Sequence, residues 1–213
     1  MSETATPPSH DHRGVSRTIG ATEQGFLVLA DISGFTAFVT ATEIEHGPPI
    51  IAALLEAVIQ RIAPPLGIQE IEGDAVFALG PDGAVAPPSA LLGVLRAGFA
   101  GFRELQREMQ RDERCPCDAC RNIWRLRLKM IGHHGTFLQQ TVGGHAQAAG
   151  KDVILAHCLL KNHVPRRMDY ALLTRPALRY MGVDPTRAGL ASHVEWYEHF
   201  GEVEYYVGDL TSA

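Results

Sequence analysis

No stretch of this sequence is apolar for long enough to cross a bilayer as a helix. The first residues also lack the apolar core of a signal peptide: they are Ser, Thr, Pro, His and charged residues. A cytoplasmic location is the expectation. Positive charge is not in excess. The formal net charge is -5, which argues against a general nucleic-acid binder and leaves open only a local basic patch. Cysteine is scarce, with 4 in the chain. In a reducing compartment those thiols stay free, so a cluster among them points to metal rather than disulfides. There is no internal repeat. What remains is ordinary globular composition, 46% hydrophobic and 20% charged over 213 residues, enough for one domain with a sizeable core.

Residues 1–22 are polar and Pro-containing, and are expected to form a disordered tail that includes His10 and His12. A single domain is expected over 23–213. Phe35 to about Glu45 has helical spacing, and Gly47-Pro48-Pro49 breaks it. Prolines suit the first turn of the next helix. Its stripe is Ile50, Ile51, Leu54, Leu55, Val58, Ile59 and Ile62, and Pro64-Pro65 ends it. A longer helix is expected from Ser89 to Arg111, its last turns a solvated face of mixed charge. Trp124 to Ile131 alternates as a strand with one buried face, and Thr136 to Val142 is a second extended run after Gly132-His133-His134-Gly135. Gly150 then opens a helix that Asp152 can cap. A strand over 169–174, a short helix over 175–181 and a final strand pair around Gly201 complete the chain. That pair carries Trp196, Tyr197, Phe200, Tyr205 and Tyr206, which serve as packing or as dimer surface.

Two short stretches carry the chemistry. Leu27 to Ala30 is an apolar run that ends in Asp31, followed by Ile32-Ser33-Gly34-Phe35-Thr36. A buried strand would deliver Asp31 at its carboxyl end, and the backbone N–H groups of Ile32 to Thr36 would form an anion-binding turn. Alternatively, Asp31 only caps the helix. The second stretch, 67–79, reads as strand, Gly73-Asp74 turn, strand. Asp74 sits at its tip, as a ligand or as a plain turn aspartate.

Cys115-Pro116-Cys117-Asp118-Ala119-Cys120 sets three thiols within six residues. A structural Zn²⁺ takes four ligands, so a fourth must come from elsewhere. Cys158, His133, His134, a partner chain and water are candidates, Asp118 a weaker one. An iron–sulfur cluster with Cys158, a metal-free knuckle and a redox switch are the other readings.

Together, the Asp31 and Asp74 stretches resemble the catalytic domain of the class III adenylate/guanylate (nucleotidyl) cyclases. The resemblance covers about residues 25–180 and points to a divergent bacterial branch. It implies an α+β fold, ferredoxin-like, with helices packed against an antiparallel-dominated sheet. It implies that Asp31 and Asp74 hold Mg²⁺ or Mn²⁺, which bind a purine nucleoside triphosphate. Lys129 corresponds to the family's triphosphate-contacting Arg, and His133 to the family histidine. Glu70 matches the guanine-reading position, and Gln147 lies at the second base-reading position, leaving the base open. Cyclase domains pair head to tail and share their active sites, so a homodimer is expected.

The departures are as informative. The family's ribose-binding Asn and transition-state Arg correspond to Ile154 and Cys158. Neither can stabilise the charge that builds on a transferred phosphoryl group. Lys161 and Asn162, one turn further on, offer a shifted cation and amide. Three functions follow. The chain binds metal and nucleotide with weak or absent cyclase turnover; or it is an active cyclase or other phosphoryl-transfer enzyme using Lys161 and Asn162; or it is a structural or sensor module centred on the Cys knuckle.

Overall fold

The computed structural model describes residues 19–111, 117–164 and 169–210. The expected tail over 1–22 lies outside the described residues as far as residue 18. From Ile19 onward the chain is already in the first strand.

One sheet of eight strands organises the molecule. The strands are β1 (Ile19–Ser33), β2 (Gly67–Glu72), β3 (Ala75–Pro81), β4 (Arg127–Val142), β5 (His145–Ala149), β6 (Tyr170–Thr174), β7 (Ala191–Tyr197) and β8 (Gly201–Gly208). Their order is β2-β3-β1-β4-β6-β8-β7, with β5 folded back on β4. Every pairing is antiparallel except β4 with β6. The helices are α1 (Phe35–Thr40), α2 (Gly47–Ile62), α3 (Leu91–Arg111), α4 (Asp118–Asn122), α5 (Lys151–Leu159) and α6 (Arg175–Met181). From β1 through α2, β2, β3 and α3 to β4 the chain traces the β-α-β-β-α-β ferredoxin-like unit.

Strand β1 lies between β3 and β4 and is covered on both faces. Its even positions, Phe26, Val28, Ala30 and Ile32, pack with the stripe of α2 and with Leu91, Leu95, Phe99 and Phe102 of α3. Leu27 and Leu29 pack on the other face with Val153, Ala156 and Leu159 of α5. A strand covered on both faces reads as a continuous apolar run, which is what Phe26 to Ala30 shows.

Several expectations about local structure change. The first helix stops at Thr40, not near Glu45. Gly132 to Gly135 is no break: β4 runs unbroken from Arg127 to Val142, and both of its faces are buried because α5 covers the second. Asp152 does not cap α5, whose N-cap is Gly150. Its Oδ2 accepts the Thr136 N–H at 2.7 Å, tying α5 to β4. That contact requires Gly135, because a Cβ there would lie 2.6 Å from the Asp152 side chain.

The charged end of α3 is not wholly solvated either. Arg103 pairs with Asp169, whose carboxylate also accepts the Leu128 N–H at 2.8 Å. Gln106 is buried and donates to the carbonyls of Ile123 and Leu126. These bonds fasten α3 to the entries of β4 and β6. Burial pushes the Asp169 carboxyl up, and Arg103 opposes the shift. Arg103→Met should cost about 3–5 kcal/mol, the cost of stranding a buried carboxylate. Urea unfolding measures it. Combining it with Asp169→Asn should recover part of the loss, whereas a cost like that of a surface pair would contradict the assignment.

Candidate functional site

Asp31 follows Leu27 and Leu29 on the α5 face of β1, near the strand's carboxyl end. Across the ladder it faces Lys129 of β4. Lys129 is only 5% exposed. Its Nζ lies 3.0 Å from Asp31 Oδ2 and donates to the Leu160 carbonyl at 2.8 Å. Leu160 is the C-cap of α5, so the partial negative charge of the helix end adds to the attraction. Lys129 therefore bridges a strand end and a helix end.

Asp74 sits in the β2–β3 turn, which Gly73 enables with φ +58. Its carbonyl accepts the Ile32 N–H at 3.0 Å, which fixes the turn beside Asp31. Asp31, Asp74 and Lys129 line one cavity of about 340 Å³ with Ile32 to Ala37. Within it the expected anion-binding turn is revised. Ile32 commits its N–H to Asp74, so it leaves the set of amides that can meet an anion. Gly34, with φ +93, turns the chain into α1.

Burial raises the Asp74 pKa, the negative charge of Asp31 raises it further, and Lys129 pulls it back. Two carboxylates thus share a partly dry cavity with one ammonium. That is a hard-oxygen donor set short of positive charge, and it fits a divalent cation.

A second cavity, about 470 Å³, brings Glu70 and Gln147 together with Phe77, His145, Val153 and His157. Glu70 comes from β2, beside a one-residue irregularity in its pairing with β3. Gln147 comes from β5, opposite Gln140. The two cavities share no lining residue.

Ile154, which the resemblance sets against the family's Asn, is 58% exposed on α5. Cys158 is half-buried on the same helix. The substitute pair, Lys161 and Asn162, does not form as expected. Helix α5 ends at Leu159, and Lys161 is exposed in the following turn. Asn162 is buried. Its Nδ2 donates to the Leu159 carbonyl, and its Oδ1 accepts from the Val164 N–H and the Tyr170 hydroxyl. Its amide is consumed in closing the helix end.

The thiol cluster gains a partner that sequence spacing did not indicate. His46, the N-cap residue of α2, places Nδ1 2.9 Å from Cys117 Sγ. Among the described residues, His46, Cys117 and Cys120 hold the group of ligand atoms within 4.8 Å of one another. Cys115 lies outside the described residues. Three candidate fourth ligands are placed elsewhere, Cys158 on α5, His133 against Thr174 and His134 against Asp82, while Asp118 lies between the two thiols at the start of α4, its carboxylate 4.0 Å from Arg121. No signal in the sequence connects His46 to Cys117, 71 residues away.

With this geometry in place, three comparisons bear on identity. The family described as "Protein of unknown function (DUF2652)" matches residues 51–170. The chain belongs to that family. The "Uncharacterized protein Rv2561/Rv2562" of Mycobacterium tuberculosis (strain ATCC 25618 / H37Rv) is 35% identical over 121 residues, 54% of this chain and 53% of its own length. The chain thus spans about half the length of that curated relative. Among solved structures, the adenylyl cyclase CyaB from P. aeruginosa superposes with a TM-score of 0.66 at 15% identity, covering 89% of this chain and 95% of its own. The guanylate cyclase domain of RhGC from Catenaria anguillulae, in complex with GTP, gives 0.61 at 11% identity, covering 88% and 97%. This DUF2652 chain has the class III nucleotidyl cyclase catalytic-domain fold, in a divergent form. No helix among its described residues is long and apolar enough to cross a membrane.

His133, which the resemblance sets against the family histidine, is buried in β4. Its Nδ1 lies 2.8 Å from Thr174 Oγ1, and its Nε2 lies 3.6 Å from Asp152. Burial lowers its pKa below 6.5, against a smaller opposing pull from Asp152. The unfolded chain therefore binds this proton first, and the protein should lose stability as the pH falls below about 6.5. His133→Asn keeps a polar partner for Thr174 and should flatten that acid slope in urea titrations between pH 7.5 and pH 5. An unchanged slope would assign it to other groups.

Proposed function

We propose that this chain binds a divalent cation, Mg²⁺ or Mn²⁺, and a purine nucleoside triphosphate, with weak or absent cyclase turnover. One observation carries the reading: Asp31 and Asp74 line one cavity, and Lys129 is already paired to Asp31 at 3.0 Å. Both carboxylates would hold the metal, which when bound supplies positive charge to the phosphates. Lys129 offers its ammonium to the same phosphates once it is released from Asp31. Gly34, Phe35 and Thr36 line the same cavity, and their amides would meet the phosphates.

Glu70 and Gln147 would read the base. A carboxylate accepts from the N1–H and N2–H₂ groups of guanine, and an amide can accept or donate. Because these two residues line a different cavity from the aspartates, a complete site calls for two chains. Head-to-tail pairing would set the aspartate cavity of one chain against the Glu70 cavity of the other. Ile154 and Val142, exposed apolar residues on α5 and at the end of β4, supply apolar surface for that homodimer.

Turnover is where the reading turns negative. Closing a cyclic phosphodiester concentrates charge on the transferred phosphoryl group, and a guanidinium there contributes orders of magnitude in rate. The matching positions hold an alkyl chain and a thiol. Asn162 is engaged in backbone capping, so the alternative of an active enzyme with repositioned groups rests on Lys161 alone.

The test is incubation with Mn²⁺ and each of ATP, GTP, CTP and UTP, with products resolved by mass and binding measured by calorimetry. The Asp31→Ala, Asp74→Ala double variant is the control. Binding of a purine nucleotide that the control loses, with little or no cyclic product, is expected. A robust cyclic product absent from the control would overturn the weak-turnover reading, and no binding at all would overturn the nucleotide reading.

Lys129 gives a separate prediction. Its ammonium competes with metal for Asp31, so Lys129→Met should tighten Mn²⁺ by about tenfold or more, from the Coulomb energy of a close charge pair. The metal-free variant should melt at lower temperature and regain stability with added Mn²⁺. Nucleotide affinity at saturating Mn²⁺ should fall. Unchanged Mn²⁺ affinity would show that Asp31 is not the metal ligand.

A further inference from the structure

We infer that His46, Cys117 and Cys120, with water in the fourth position, form a site for a soft or borderline divalent cation, Zn²⁺, separate from the aspartate cavity. Their three ligand atoms already lie within 4.8 Å of one another. A tetrahedral zinc site with Zn–S bonds near 2.3 Å and Zn–N bonds near 2.1 Å has ligand–ligand edges of roughly 3.5–3.8 Å. The observed spacings, 2.9 Å for His46 Nδ1 to Cys117 Sγ and none above 4.8 Å, bracket that range.

The backbone around the thiols is arranged as a metal-binding turn. Cys117 is the N-cap of α4, and Cys120 follows in the first turn. The Cys120 N–H points at Cys117 Sγ at 3.4 Å, a donor that stabilises a thiolate. The third ligand comes from a distant segment held by a second contact, since the Asp118 N–H donates to Glu43 Oε1 at 3.3 Å. The loop before α2 and the turn before β4 are thus clamped by a hydrogen bond next to the three ligands.

Thiolate and imidazole donors select zinc over Mg²⁺ or Mn²⁺, so the two sites take different metals. The consequence is structural. The His46 segment leads back through α1 to the Gly34 turn, and the Cys120 segment leads on into β4 and Lys129. A metal here would fix both chain segments that enter the aspartate cavity. A Cys–His nucleophile and a Cys117–Cys120 disulfide are the competing uses of the same atoms.

The deciding experiment uses the full chain purified under reducing conditions, with zinc measured by plasma mass spectrometry. It is followed by Co²⁺ titration of the metal-stripped protein. About one zinc per chain is expected, with a Co²⁺ spectrum of tetrahedral d–d bands and thiolate charge transfer. His46→Ala, Cys117→Ser and Cys120→Ser should each weaken zinc by at least about a hundredfold, since each removes one strong ligand. Cys158→Ser, on α5, should not. The wild-type Co²⁺ spectrum stands if a variant fails to fold. Absence of zinc together with no charge-transfer band would overturn the site. Retention of zinc by His46→Ala would remove His46 from it. A Cys117–Cys120 disulfide in metal-free protein would assign the thiols to redox chemistry.

Discussion

A central strand covered on both faces has nowhere to put a charge except at its end. Strand β1 meets that constraint with Asp31, and the Asp31–Lys129 pair depends on it. Lys129 is drawn into the interior because Asp31 lies opposite it and the C-terminal end of α5 lies beside it. The pair fixes where β1, β4 and α5 meet, which is the floor of the aspartate cavity. Asp74 is then delivered to the same floor by a single backbone bond from Ile32.

The same pair sets the electrostatics of the cavity. One ammonium balances one of two carboxylates, and the other feels its neighbour's charge and its own burial. A cavity in that condition favours any added positive charge. It already holds the protein's own cation, Lys129. Nucleotidyl cyclase chemistry needs more than this: it needs groups that meet charge only in the transition state. On α5 of this chain, Ile154 is exposed and Cys158 half-buried, an alkyl chain and a thiol that carry no such charge.

The thiol cluster stands on the other face of the sheet's architecture, near the N-terminus of α2. It joins segments that belong to different parts of the chain, as the Arg103–Asp169 and Asp152–Thr136 contacts do elsewhere. Each ties a helix or loop to the β4 region. Strand β4 is thereby held from several directions, which suits a strand that carries Lys129 at one point and His133 at another.

The sequence by itself determined the elements whose periodicity is set by burial: the apolar run of β1, the stripe of α2, the Gly73-Asp74 hairpin and the strand–helix succession of 170–181. It also marked Asp31 as a strand-end and Asp74 as a turn aspartate, because turn chemistry and strand ends are local; only the resemblance to the cyclase family paired them. It did not show that β4 is continuous, since glycines punctuate a sequence whether or not a neighbour such as Asp152 requires them. Only the tertiary structure decided that Asn162 is spent on a helix end, that Lys129 is buried against Asp31, and that His46 meets Cys117. Those facts depend on which segments the sheet order brings together, and contacts across 71 residues of chain leave no local pattern to read.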